Sequence, residues 1–257
     1  MPGVGADMRR FLLLIFMTLG GVAHANVDES AVDDGIVKLG DFASGLSGWR
    51  MQRFDPGLRP TEYSLAVVDG VSAVEAYSEK SMAMFARKIE ADVARTPVLC
   101  WRWRIESVIA EADIRTRAGD DLAARVYIGL TLPRERLSMA ERIGLSLARR
   151  KYGDELPDSA INYVWDNRTP RGALLPNAYT KRTQMYVLRS GNEDAGAWVE
   201  ERRNILTDMI RAFGTSEGRP ILVAVASDTD NTGAKARAAF ADLHLVADGA
   251  PCRFPGR

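Results

Sequence analysis

The run Asp228-Thr229-Asp230-Asn231-Thr232-Gly233 sets two carboxylates two residues apart and a glycine five after the first. Oxygen side chains at that spacing begin a calcium loop, in which alternate residues turn toward one cation. The place of the closing bidentate glutamate is held by Ala239. The match is therefore partial, and the preferred reading is a turn whose Asp, Asn and Thr side chains bond local amides. Calcium is the cation the loop would take in the other reading. Gly119-Asp120-Asp121 poses the same choice just ahead of Arg125 and Tyr127. Glu200, Glu201, Arg202 and Arg203 crowd a third segment, and Tyr163 and Trp165 precede Asp166 and Asn167.

These groups define a limited chemistry. Paired carboxylates can run glycoside hydrolysis, but only at a set separation that sequence does not fix. Arg102, Arg104 and Arg125 could meet across strands and grip a carboxylate or anionic sugar in bidentate fashion. They could equally neutralise Asp120, Asp121 or Glu201, which is the simpler account. Trp165 lies beside polar residues and offers a face for stacking on a sugar ring, whereas Trp101 and Trp103 alternate with arginines and read as core. The candidate polar site is thus Asp120, Asp121, Arg125, Trp165, Glu201, Arg202, Asp228, Asp230 and Asn231.

Much other chemistry is excluded. The chain has two histidines, His24 and His244, too few for a histidine-rich metal centre. A Ser-His-Asp triad would have to use His244. No glycine-rich phosphate loop, Gly-x-Ser-x-Gly elbow or CxxC pair occurs.

Short strands must position the candidates. Tyr63–Val68 and Val71–Tyr77 flank Asp69-Gly70, a two-residue hairpin signal. Period two over Val98–Glu106 puts Leu99, Trp101, Trp103 and Ile105 on one face and Cys100, Arg102 and Arg104 on the other. Leu122–Leu132 alternates likewise, with Arg125 and Tyr127 on its second face. Ala160–Asp166, Gln184–Arg189, Ile221–Asp228 and Phe240–Val246 complete the strands, the last placing Phe240 and His244 on one face and Leu243 and Leu245 on the other. The pattern predicts a mainly β fold, an antiparallel β-sandwich, with two added helices. One helix spans about 198–213, stopped by Gly214. The other spans about 134–151, with Leu137, Ala140, Ile143, Gly144 and Leu147 near one face. This second helix would cover a sheet edge. The alternative, a basic lid or membrane-surface helix, is weakened by Glu135 and Glu141.

The N-terminus reads as an export signal. Met8-Arg9-Arg10, the apolar run Phe11–Leu19 and Ala23-His24-Ala25 follow the signal-peptidase order. The run is shorter than the roughly 20 residues a spanning helix needs. Removal of 1–25 leaves residues 26–257, a length that suits one sandwich domain in the periplasm or medium with no transmembrane anchor. The full chain carries 34 basic and 34 acidic residues, so no net field draws nucleic acid. In an oxidising compartment Cys100 and Cys252 could pair. The other reading leaves Cys100 a buried thiol and Cys252 in a frayed tail, and spacing does not choose between them.

Six ordered motifs carry a family resemblance: Phe42-Ala-Ser-Gly-Leu-Ser-Gly-Trp49, Pro97-Val-Leu-Cys-Trp-Arg-Trp103, Gly119–Tyr127, Asn162-Tyr-Val-Trp165, Trp198–Asn204 and Asp228–Gly233. In them the chain resembles domain-of-unknown-function family 3047, a set of exported bacterial proteins. The first and last motifs also resemble the two ends of jelly-roll, galactose-binding-like domains, which implies a fold but no function. The resulting expectation is a sandwich that binds a saccharide or cell-envelope glycan. A carboxylate-dependent glycan hydrolase or lyase and a non-catalytic envelope scaffold are the alternatives, and oligomeric state stays open.

Overall fold

The computed structural model describes residues 32–33, 35–152 and 157–255. The expected signal sequence lies outside them. Among the described residues fourteen strands form two seven-stranded sheets. In the first, β1 (Val32–Asp33), β2 (Ile36–Gly40), β14 (Lys235–Val246), β5 (Val71–Glu79) and β4 (Glu62–Val68) follow one another. On the other side of β14 lies β7 (Val98–Ile105), and β12 (Val199–Asn204) pairs β7. The second sheet runs β10 (Leu174–Pro176), β11 (Thr183–Ser190), β9 (Ser159–Asp166), β8 (Leu122–Thr131), β13 (Arg219–Asp228), β6 (Met82–Lys88) and β3 (Arg50–Gln52). Pairing is antiparallel except between β9 and β11. Among the described residues there are two α-helices, α1 (Met139–Tyr152) and α2 (Ile205–Phe213).

The alternating strands meet as their patterns require. Leu99, Trp101, Trp103 and Ile105 of β7 share one buried cluster with Val126 and Ile128 of β8, Tyr163 and Trp165 of β9 and Val223 and Val225 of β13. Each sheet thus buries one face on the other, the arrangement of a sandwich. The Asp69-Gly70 hairpin forms as its residues dictate. Both have positive φ, 49° and 79°, and Val68 pairs Val71, as a two-residue turn between twisted strands demands.

Three expectations change. Residues 199–204 extend as edge strand β12, so the helix begins only at Ile205. On this edge strand Arg202 faces water while Glu201 and Arg203 are paired with Arg189 and Asp208, and Asn204 then caps α2 by accepting from the Thr207 amide. In β14 the register slips between Ala241 and His244, where Asp242 has φ 53°. This bulge reverses the alternation: Phe240 joins Leu243 and Leu245 in the core, and His244 faces the other way beside Cys100. Finally, Ile143 and Leu147 of α1 are exposed rather than covering a sheet edge.

Cys100 and Cys252 form a disulfide with Cα atoms 5.8 Å apart. It pins the C-terminal tail to the outer face of β7. Among the described residues no helix is long and apolar enough to cross a membrane.

Candidate functional site

Strand register brings Asp120, Asp121, Arg125 and Asp228 together. In the sheet Ala226 of β13 pairs Arg125 of β8, and Asp228 pairs Leu122. Gly119 turns the incoming loop tightly. A Cβ there would lie 2.6 Å from the Asp113 backbone nitrogen, so only glycine admits the approach. The turn delivers Asp120 and Asp121 to the end of β8, against the loop that follows β13.

Arg125 is the hub. Its Nε donates to Asp228 Oδ1 at 2.8 Å, and one terminal nitrogen donates to Asp228 Oδ2 at 2.7 Å, to the Asp120 carbonyl at 2.6 Å and to Asp120 Oδ1 at 3.1 Å. The other terminal nitrogen donates to the Tyr127 hydroxyl at 3.3 Å. Arg125, Asp120, Asp121 and Asp228 are all buried. Burial alone would lower the guanidinium value, but Asp120 and Asp228 outweigh it and hold Arg125 well above the usual arginine range. Burial pushes Asp228 well up against the pull of Arg125, and it raises Asp120 as well.

Asp121 answers the loop question. Its Oδ1 accepts from the Asn231 amide and side chain at 3.2 and 3.0 Å. Its Oδ2 accepts from the Thr232 amide and hydroxyl at 2.6 and 2.7 Å. Four donors fill the acceptor directions of one carboxylate. A residue more than a hundred positions away therefore caps the Asp228–Gly233 turn. The same contact supplies the third carboxylate that Ala239 denies the loop: oxygens of Asp121, Asp228 and Asp230 all lie within 4.8 Å of one another. Asp230 is half-buried, and burial with Asp121 close by raises its carboxyl to about 6.

The rim adds residues that sequence reasoning did not select. Asn177 donates to Asp120 Oδ2 at 2.6 Å. The Tyr179 hydroxyl lies 2.9 Å from Asn231 Oδ1, and the Arg117 guanidinium sits over the Tyr179 ring at 5.4 Å. Both Asn177 and Tyr179 belong to the turn between β10 and β11, whose Asn-x-Tyr run showed no chemistry until folding placed it beside Asp120.

The remaining candidates lie elsewhere. Trp165 is 1% exposed, packs against Trp103 and donates its indole N–H to the Gly191 carbonyl, so it is closed to a ligand. The alternation from Ile161 through Tyr163 carried that signal. Glu201 accepts from Trp103 Nε1 at 3.2 Å and from Arg189 Nε at 2.7 Å. Burial raises its carboxyl although Arg189 opposes the rise. Arg202 is exposed, and with Glu200, Glu201, Cys252 and Phe254 it lines a cleft of about 470 Å³. The arginines do not converge. Arg102 pairs Asp242, and Arg104 pairs Asp69 at 3.2 Å. His244 is engaged at both nitrogens: Nε2 accepts from the Arg253 amide, which places the proton on Nδ1 facing the Asp242 carbonyl. With burial lowering its pKa, it is not positioned as the base of a triad.

A buried carboxylate left uncompensated is costly. Four carboxylates around one guanidinium leave a surplus of negative charge, which protonation or a hard cation can relieve. All-oxygen donors suit calcium. Such an ion would draw on Asp230 and on Asp228 Oδ2, which has one donor, with the Asp121 carboxylate, already taken by four donors, adding its charge nearby.

No curated protein matches the chain. Solved structures similar to it are distant. A family 11 carbohydrate-binding module of the cellulosomal cellulase Lic26A-Cel5E of Clostridium thermocellum shares 8% identity over 83% of this chain and 95% of that chain, with a TM-score of 0.41. The xyloglucanase domain of NopAA, a type three effector from Sinorhizobium fredii solved with cellobiose, shares 11% over 78% and 94%, with a TM-score of 0.38. A family 4 carbohydrate-binding module shares 8% over 84% and 97%, with a TM-score of 0.33. The decisive match is by family: residues 47–244 fit the family described as Protein of unknown function (DUF3047), and the chain belongs to it.

Proposed function

We propose that this is an exported saccharide-binding protein whose ligand contacts Asp230, Asn231 and Tyr179 at the sandwich end where the loops before β8, after β10 and after β13 meet. Residues 1–25 are the removed signal, and 26–257 form one domain in the periplasm or medium. The supporting observation is the division of labour around Arg125. Asp120, Asp121, Arg125 and Asp228 satisfy one another in the interior, and they fix a half-buried rim of acceptor, amide and phenol. Hydroxyl-rich ligands fit such a rim, donating to Asp230 and to Asn231 Oδ1, with the face of the Tyr179 ring away from Arg117 as an apolar surface. Calcium, held as described above, would neutralise the surplus charge and order the Asp228–Gly233 loop.

The test pairs a glycan array with calorimetry on the wild type, Asp230→Asn and Tyr179→Ala. The expected result is binding to an envelope or plant polysaccharide that weakens about tenfold or more in each variant, the scale of one lost charged hydrogen bond. Absence of binding across the array, or unchanged binding in both variants, overturns the reading. Calcium is tested separately: thermal stability should rise on adding calcium to the wild type and not to Asp230→Asn.

A second reading, a carboxylate-dependent glycan hydrolase or lyase, is favoured by one observation. Asp230, raised to about 6, holds a proton often enough near neutrality to serve as a general acid. Turnover lost in Asp230→Asn with binding kept would select it.

A further inference from the structure

We propose that α1 is a docking helix for anionic lipid surfaces, separate from the polar site. The connection between β8 and β9 is the first reason. These strands are antiparallel neighbours, which a short hairpin would join. Residues 132–158 stand there instead, and α1 rises within them.

The helix is mounted with its polar side inward. Ser138 and Glu141 form a reciprocal cap: the Ser138 amide donates to Glu141 Oε2 at 2.7 Å, and the Glu141 amide donates to Ser138 Oγ at 3.3 Å. Glu141 also faces Arg182 at 3.6 Å, Arg149 faces Asp158 at 3.6 Å, and Arg142 donates to the Leu137 carbonyl at 2.9 Å. Glu141, Arg142 and Arg149 are half-buried by these contacts.

The opposite face carries the apolar residues. Met139, Ile143 and Leu147 recur every four positions and are 69%, 56% and 59% exposed. Exposed Arg150 extends that stripe by helical spacing. On α2 the order is reversed, with Ile205 and Met209 fully buried. A stripe of large apolar side chains turned to water calls for a cover.

Charge selects the occupant. With Arg142, Arg149 and Glu141 turned inward, the exposed charges of residues 134–150 are Arg134, Arg136 and Arg150 against Glu135 alone. An apolar stripe flanked by arginine suits an interface whose surface is negative and whose interior is apolar. A second copy of this chain would instead bring the same positive charge against itself.

The experiment uses the chain beginning at Asn26, so that the apolar run Phe11–Leu19 contributes nothing while every described strand and helix is kept. Co-sedimentation is measured with vesicles of phosphatidylcholine alone and of phosphatidylcholine mixed with phosphatidylglycerol. The wild type should pellet with the mixed vesicles and not the neutral ones, and release as salt is raised. Ile143→Glu with Leu147→Glu should bind at least about tenfold more weakly, since each side chain contributes more than 1 kcal/mol when buried. Both positions are exposed, so the melting temperature should not change. Failure of the wild type to pellet, equal pelleting by the variant, or a wild-type dimer in sedimentation velocity that the variant abolishes would each overturn the proposal.

Discussion

Two buried carboxylate assemblies in this molecule are built to opposite balances. At Asp208 one carboxylate meets one guanidinium: Arg203 Nε donates to its Oδ2 at 2.9 Å, and the Tyr163 hydroxyl donates to the same oxygen at 2.8 Å. Arg203 also lies over the Tyr186 ring at 5.3 Å. Charge, hydrogen bonds and packing close on themselves. At Arg125 one guanidinium serves Asp120 and Asp228 with Asp121 and Asp230 beside them. The first assembly needs nothing more. The second carries more carboxylates than its one guanidinium pairs, a surplus that a proton or a cation would relieve.

Removing the hubs should break this contrast most sharply. Arg125→Met leaves Asp120 and Asp228 buried without their partner, and urea unfolding should report a loss of about 3–5 kcal/mol. A loss below about 1 kcal/mol would mean that water reaches the cluster. Asp208→Asn keeps an acceptor for Tyr163 but loses the charged bond to Arg203, which is partly solvated. The expected cost is about 2 kcal/mol by the same measurement.

The pH dependence sharpens the comparison further. Asp230 is raised to about 6 when folded, whereas an unfolded aspartate titrates near 3.9. The folded state therefore holds the proton more tightly. Its contribution is complete below about pH 4 and is lost as pH rises through about 6. Melting temperatures should fall across that window, and Asp230→Asn should remove about 1–2 kcal/mol of the dependence after allowance for partial exposure. Asp120 and Asp228, also raised, act in the same direction. The smallest effect belongs to the helix that carries Asp208. Asn204→Ala removes the α2 cap and should cost about 1 kcal/mol in thermal unfolding, without altering calcium response or glycan binding.

Legibility in the sequence followed the range of the interaction. Asp69-Gly70 specified its turn because two positive φ angles are a local demand. Alternation in β7 and β8 named the core face because parity needs only neighbours in the chain. Parity failed at β14, where the bulge at Asp242 moved Phe240 to the other face. The Trp198–Phe213 segment read as one helix because its charged residues suit a helix surface as well as an edge strand. Only pairing of Glu201 with Trp101 and Arg203 with Leu99 settles the strand. Aromatics show the same division: alternation alone marks Trp101 and Trp103 as core, whereas the polar neighbours of Trp165 in sequence mask an alternation that also points inward.

What the sequence determined alone was the mainly β sandwich, the positions of most strands, the removal of histidine-centred chemistry, and the Asp, Asn and Thr loop as a turn. Those follow from composition and from periods of two to four residues. Tertiary structure decided which acids meet. Asp120 and Asp121 reach Asp228 and Asn231 only through the register of β8 on β13, while Glu201 lies at the edge of the other sheet with Arg189. It also decided between a disulfide and a free thiol, and it turned the apolar side of α1 outward. Each of these depends on distances between residues far apart in the chain. Such distances are set by the packing of two sheets, which no local pattern encodes.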